Sequence, residues 1–202
     1  MNASEPLAAV VLAAGASSRM GAHKMLLQLD GESLIRRVVR AVREVPIADV
    51  VVVAGYDHRA MEKELSDLPV RFALNENYRK GMGSSFAAGV LALDDRVGAA
   101  LFVLGDRPFV TAEDYRRLVD AYRRGQSKLV AGRYGDVIAP PHVVARSLFA
   151  RIANDGVGIR PLLEELGSEA MLIDFPERAL LDIDEPADLE RARALLRDVP
   201  AR

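Results

Sequence analysis

The sequence predicts an α/β domain built on a mostly parallel sheet with helices packed against it. Short Val- and Leu-rich runs bounded by turn residues alternate with amphipathic helical segments from one end of the chain to the other, the rhythm of parallel strands joined by helices. The chain has 202 residues, 50% of them hydrophobic and 5% aromatic, which suits one compact core and leaves little room for two. No repeat, low-complexity tract or linker interrupts it, so residues 1–202 are expected to form a single domain.

Leu7 to Leu12 is the first strand, ending in Ala13-Ala14-Gly15. The turn Asp30-Gly31 precedes a helix whose apolar stripe is Leu34, Ile35, Val38, Val39, Val42 and Val45, and Asp49 to Ala54 is the second strand. A helix from about Arg59 to Leu65 leads to a third strand at Val70 to Leu74. After the glycine-bearing segment Gly81 to Ser85 a helix runs to about Leu93, and Ala99 to Leu104 is the fourth strand. Gly105-Asp106-Arg107-Pro108 follows, then a helix for which Thr111 is the N-cap and Asp114, three residues on, completes a capping box. Lys128 to Ala131 is a further strand. Gly132 to Gly167, where Pro140-Pro141, Asn154-Asp155-Gly156 and Gly158 break two short helical stretches, is the least regular region and is expected as loops over an active site. Met171 to Phe175 and Leu180 to Ile183 are short strand candidates, and Pro186 opens a closing helix to about Arg197.

Composition excludes several function classes. Lys+Arg 27 against Asp+Glu 29 gives a formal net charge of -2, so no general field attracts nucleic acid or an anionic membrane, and any phosphate site is local. Cysteine is absent, which removes disulfides, thiolate nucleophiles and thiolate metal sites; with three His a zinc site is not expected either. A metal, if used, is hard and oxygen-bound. The start Met1-Asn2-Ala3-Ser4-Glu5-Pro6 lacks the basic residues of a signal peptide, and no apolar run reaches the roughly 18 residues of a membrane helix, so a cytoplasmic location is expected.

The loop from Leu12 to Lys24 carries the strongest chemical signal. Small residues (Ala13, Ala14, Gly15, Ala16, Ser17, Ser18) let backbone N–H groups approach a ligand, and two spaced cations follow. Arg19 offers bidentate contacts to phosphate and Lys24 a compact point charge. Neither the Walker A pattern nor the dinucleotide fingerprint is present, since Gly21 is followed by Ala22 and not by Lys-Ser or Lys-Thr. Gly15 and the serines alone would read as a turn; the ordered set of strand, small residues, Arg19, Gly21 and Lys24 reads as a triphosphate grip. Asp106 directly follows a strand and so projects at the carboxyl edge of the sheet, where open α/β proteins place ligands and where one or two carboxylates plus phosphate oxygens hold Mg²⁺. Alone, Gly105-Asp106-Arg107-Pro108 reads equally as a tight turn with Asp106 capping or pairing with Arg107.

In that order these residues resemble the signature Leu-Ala-Ala-Gly-x-Ser-x-Arg-Met-Gly-x-x-Lys of the nucleotidyltransferase family that includes molybdenum cofactor cytidylyltransferase, and Leu104 to Pro108 resembles its metal-binding Gly-Asp-x-Pro motif. Two further stretches match in sequence order: Asn75 through Gly81-Met82-Gly83-Ser84-Ser85, and Leu181-Asp182-Ile183-Asp184-Glu185-Pro186 near the C-terminus. The resemblance implies a three-layer α/β/α Rossmann-like nucleotidyltransferase fold with a mainly parallel mixed sheet. It implies Arg19 and Lys24 as catalytic residues, and Leu12, Ala13, Ala14, Gly15, Ser17, Gly83, Ser84 and Ser85 as nucleotide-binding residues. Mg²⁺ would be held by Asp106 and Asp184. Asp182 points the same way as Asp184 in extended chain and is the second choice; Asp184 also reads as a helix N-cap ahead of Pro186.

The expected substrates are a nucleoside triphosphate and a phosphate-bearing small molecule such as molybdopterin, with a molybdoenzyme or its chaperone as protein partner and no nucleic acid or membrane partner. Ala13-Ala14-Gly15 favours CTP, because the guanylyl branch usually has Ala-Gly-Gly. The acceptor region departs from the family: Pro140, Gly158 and Arg160 match, but Ile138 stands where a Gly is usual and Asp155-Gly156 inverts a Gly-Asp pair. A sugar-phosphate or other small-phosphate nucleotidyltransferase therefore stays open, as does a nucleotide-binding cofactor-insertion chaperone without turnover. His142, His23 and His58 are assigned no catalytic role.

Overall fold

The structure is a computed structural model that describes residues 5–15, 23–156 and 158–197. In chain order the strands are β1 (Leu7–Leu12), β2 (Gln28–Leu29), β3 (Glu32–Ser33), β4 (Asp49–Ala54), β5 (Arg71–Leu74), β6 (Ala99–Leu104), β7 (Leu129–Tyr134), β8 (Val137–Ala145) and β9 (Met171–Asp174). The helices are α1 (Leu34–Arg43), α2 (His58–Glu64), α3 (Met82–Leu91), α4 (Ala112–Arg124), α5 (Phe149–Asp155), α6 (Arg160–Leu166) and α7 (Pro186–Arg197).

Seven strands form one sheet in the order β5-β4-β1-β6-β8-β7-β9, with β2 and β3 as a separate hairpin. Neighbours β5, β4, β1 and β6 are parallel, β8 is antiparallel to both β6 and β7, and β9 is parallel to β7, so β8 alone runs against the rest. Both faces are covered. Leu7, Ala9 and Val11 of β1 join a core with α1, α2 and α4, whereas Ala8, Val10 and Leu12 join a second core with α3, α5 and α6. This period-two division of one strand explains why all six of its residues are buried. It is the three-layer, mainly parallel mixed sheet that the sequence implies. Among the described residues no helix is long and apolar enough to cross a membrane.

Local signals fix the element ends. The Asp30-Gly31 turn has both residues at positive φ (56° and 76°), closing the β2–β3 hairpin. Ser33 then caps α1 by accepting from Arg36 N–H, and the expected stripe is buried, Leu34 in the small core under α7 and Ile35 to Val45 in the core that α1 shares with the sheet. At α4 the capping box is complete: Thr111 Oγ1 accepts from Asp114 N–H (3.2 Å) while Asp114 Oδ2 accepts from Thr111 N–H (3.0 Å).

Two expectations are corrected. The stretch expected as loops from Gly132 to Gly167 begins with the end of β7 and the nine-residue strand β8. Pro140 and Pro141 are tolerated there because they occupy a bulge: the register steps from Ala131↔His142 to Gly132↔Ala139, so neither missing N–H is required by the ladder. Leu180 to Ile183 is not a strand. A 3₁₀ turn covers Glu177–Leu180, and Ile183 N–H donates to the Asp106 carbonyl (3.2 Å) instead of to a ladder.

Candidate active site at the carboxyl edge of the sheet

The chain steps from β1 to β4 to β5 on one side, then crosses to β6 on the other side of β1. The crevice at such a reversal, outside the carboxyl ends of the strands, is where a parallel sheet leaves room for a ligand. Leu12 and Leu104 are register partners at that end, so the loops after β1 and β6 emerge side by side. Ala13 N–H donates to the Val53 carbonyl (2.9 Å) and Gly105 N–H to the Leu12 carbonyl (3.0 Å), which prolongs the sheet by one residue on each side of β1. Leu12, Ala13 and Ala14 are buried at 5%, 0% and 3% exposure, and Gly15 is the first residue to reach the surface. Ser17 and Arg19 lie outside the described residues.

The chain returns at His23. Its Nε2 donates to the Tyr56 carbonyl (2.9 Å), docking the 3₁₀ turn Lys24–Leu26 on the loop after β4. From this turn the Lys24 side chain, nearly buried, places Nζ 2.6 Å from Asp106 Oδ2 and 2.5 Å from Asp184 Oδ1. Residues 82 and 160 positions apart in sequence thus meet at one point. Burial pulls the Lys24 pKa down, but the charge of Asp106 and the hydrogen bonds that Nζ donates to both carboxylates outweigh it, so the ammonium is held above its ordinary range. Two carboxylates share one ammonium here. Asp106 Oδ1 is buried with no hydrogen-bond partner among the described residues.

Asp184 is brought in by the chain after the 3₁₀ turn. Ile183 is fully buried with Leu29, Leu34, Leu189 and Ala192, so α7 is seated on the β2–β3 hairpin and residue 184 points back toward the crevice. Asp188, in the first turn of α7, accepts at Oδ2 from the N–H groups of Asp184 (3.2 Å) and Glu185 (2.9 Å), while the Asp184 carboxylate turns to Lys24. Likewise Asp106 does not pair with Arg107, whose Nη1 turns away to donate to the Pro140 carbonyl (3.0 Å).

Gly83, Ser84 and Ser85 form the first turn of α3. Buried Asn75 holds that turn by donating to Ser84 Oγ (2.9 Å) and Ser85 Oγ (3.0 Å). Both hydroxyls are thereby engaged with protein, and Gly83 faces a cleft of about 760 Å³. Phe86 of α3, Ile138 and His142 of β8, and Ile159 and Arg160 at the start of α6 also line it. The cleft is mainly apolar, which suits a planar ring system with few polar groups. Arg160 pairs with Glu164 one turn on (3.1 Å). His142 is 4% exposed, and burial, reinforced by the nearby Arg107 charge, depresses its pKa to about 3; the imidazole is neutral.

Sequence reasoning passed over Gly55 and Arg107. A Cβ on Gly55 would lie 2.7 Å from the Ala14 carbonyl and 2.9 Å from Tyr78 Cβ, so only glycine lets the loops after β1 and β4 approach. A glycine ending the apolar run of β4 was the available signal. Arg107 and Tyr134 both donate to the Pro140 carbonyl (3.0 and 2.9 Å), tying the Asp106 loop to the wall of the cleft. No local pattern announces that contact.

Among the described residues no group of three or more His, Asp or Glu side chains is gathered as a metal site. A family described as MobA-like NTP transferase domain matches residues 9–170. The bifunctional protein GlmU of Anaeromyxobacter sp. (strain K) is 36% identical over 128 residues, which are 60% of this chain and 26% of that protein. The chain thus spans about a quarter of the length of such curated relatives. A nucleotidyl transferase from Methanothermobacter superposes with a TM-score of 0.81 at 26% identity, covering 96% of this chain and 99% of that one. Molybdopterin-guanine dinucleotide biosynthesis protein A from Archaeoglobus fulgidus shares the fold at 21% identity, with a TM-score of 0.69 over 95% of this chain and 100% of that chain. With its crevice at the β1–β6 edge and a family match over most of its length, the chain belongs to the nucleotidyltransferases of the MobA-like NTP transferase domain family.

Proposed function

We propose that this chain, as one domain, is a Mg²⁺-dependent nucleotidyltransferase that moves a nucleoside monophosphate onto a phosphate-bearing acceptor and releases pyrophosphate. CMP from CTP is the favoured group, on the Ala13-Ala14-Gly15 pattern, and the molybdopterin or molybdenum cofactor class is the favoured acceptor. The observation that carries the reading is the convergence of Lys24, Asp106 and Asp184 beside the end of β1. The residues fit the metal: Asp106 keeps a buried oxygen without a partner among the described residues, and a pair of carboxylates is the share of protein ligands Mg²⁺ ordinarily takes beside phosphate and water. When bound, the metal neutralises phosphate oxygens of the nucleotide.

The reaction asks the protein for position and charge more than for a base. An acceptor oxyanion forms a bond to the α-phosphorus in line with the bond that breaks, and pyrophosphate leaves with the electron pair. No proton has to move if the acceptor is already ionised. Lys24 stabilises the charge that develops on the α-phosphate, and Arg19 holds the departing pyrophosphate. Leu12 to Gly15 with Ser17 cradle the triphosphate, and Gly83 with the first turn of α3 supports the base or ribose. The cleft beside Gly83 receives the acceptor. A molybdoenzyme or its chaperone is the protein partner on this reading.

The departures at Ile138 and Asp155-Gly156, together with the 36% identity to the bifunctional protein GlmU, favour as second reading a nucleotidyltransferase for another small phosphate, such as a sugar phosphate. A panel of nucleoside triphosphates and acceptors, scored by Mg²⁺-dependent pyrophosphate release, separates the two. In the same assay Asp106→Ala is expected to abolish turnover with the far-UV circular dichroism spectrum unchanged. Near-normal rates would refute the metal role.

A further inference from the structure

We propose that Lys24 is a resident counter-ion: in the nucleotide-free protein its ammonium fills the space between Asp106 and Asp184, so that a divalent cation and a nucleoside triphosphate load together. This rests on Asp106 and Asp184 as the metal's ligands and adds the order in which their site fills.

The geometry is direct. Lys24 Nζ sits 2.6 Å from one carboxylate and 2.5 Å from the other, and the Lys24 residue is 8% exposed. Two carboxylates held this close without a cation would repel, and the ammonium prevents that. It also takes up an oxygen of each that a second cation would need. A divalent ion arriving alone must therefore displace an enclosed, doubly paired ammonium or sit beside it against like charge. The buried Asp106 Oδ1, which has no partner among the described residues, leaves part of the coordination in readiness.

What can move is the side chain. The backbone of the turn is pinned by Leu26 N–H to the His23 carbonyl (2.9 Å), Leu27 N–H to the Lys24 carbonyl (3.1 Å) and His23 Nε2 to the Tyr56 carbonyl. The four-carbon stem of lysine is flexible, and the turn follows directly on the loop read as the triphosphate grip. A triphosphate offers the ammonium another anion. The transfer of Nζ from carboxylate to phosphate replaces one ion pair with another and frees the carboxylate oxygens for the cation that accompanies the nucleotide. By linkage, whatever the nucleotide adds to metal affinity the metal adds to nucleotide affinity.

The test measures Mn²⁺, a hard and spectroscopically visible stand-in, bound to the full chain. Titration of nucleotide-free protein followed by electron paramagnetic resonance is expected to show Lys24→Met binding Mn²⁺ at least about tenfold tighter than wild type, within the usual range of a coupling between adjacent sites. The gain is expected to vanish in Lys24→Met/Asp106→Asn. Equilibrium dialysis with CTP equal on both sides is expected to show wild type retaining Mn²⁺ far more strongly than without CTP, and Lys24→Met losing most of that enhancement. Should Lys24→Met be unfolded without metal, Mn²⁺ is expected to restore its melting transition, and failure to do so overturns the proposal. If wild type retains Mn²⁺ with CTP in an Asp106-dependent way while Lys24→Met gains nothing without CTP, the counter-ion role is overturned and the metal ligands stand. Absence of Mn²⁺ binding under every condition overturns both.

Discussion

His142 offers a stability test whose sign and size follow from burial. It lies on β8 between Phe102 of β6 and Ala131 of β7, 4% exposed, with Nδ1 unpartnered among the described residues. Burial and the Arg107 charge take its pKa from 6.5 to about 3. Between those values the unfolded chain binds a proton that the native state refuses, so unfolding takes up a proton and stability rises with pH. The contribution is complete above the unfolded value and is lost as pH falls toward the folded one. At 1.36 kcal/mol per pH unit, moving from pH 7 to pH 5 removes about 2 kcal/mol through this residue alone. Urea denaturation of wild type and His142→Gln at both pH values isolates it, because other titrating groups cancel in the comparison. Wild type is expected to lose about 2 kcal/mol more than the variant between pH 7 and pH 5. Equal losses would refute a buried, neutral His142.

Arg107→Met removes a buried charged donor from the Pro140 carbonyl and leaves Tyr134 to hold it; a loss of about 1–3 kcal/mol in urea denaturation at pH 7 is expected. The same variant is expected to raise the His142 pKa, followed by NMR titration of the imidazole, since the cation that opposes its protonation is gone. Gly55→Ala sets a Cβ 2.7 Å from a backbone oxygen of Ala14, which cannot rotate away. It should cost about 1–3 kcal/mol of stability and weaken CTP binding measured by calorimetry, because residues 13–15 must shift. Unchanged stability and affinity would show that the two loops tolerate separation.

Much of the fold is legible where local physics and tertiary packing agree. The stripe of α1, the capping box of α4 and the buried runs of β1, β4 and β6 each carry a period or a cap that the final packing merely uses. β8 was illegible because Pro140-Pro141 argues locally against a strand, and only the bulge opposite Ala131 and Gly132 makes the prolines harmless. Leu180 to Ile183 erred the other way. Its apolar alternation is satisfied by the small core under α7, and its backbone by one hydrogen bond to the Asp106 loop.

The site divides in the same manner. Local sequence supplies the parts: a small-residue loop after a buried strand, Lys24 closing it, Asp106 at the end of another strand, and Asp182 and Asp184 in phase near the C-terminus. Residue type and strand period are local properties, and they suffice to say which groups are available and which way each faces. Tertiary structure decided which of them meet. Asp188 accepts from the N–H groups just ahead of α7 while the Asp184 carboxylate turns to Lys24, and Arg107 turns to Pro140, which leaves Asp106 to the same ammonium. Contacts across 82 and 160 residues depend on how α7 seats on the β2–β3 hairpin and on how β1 and β6 align, and no pattern within a few residues of Lys24 encodes either.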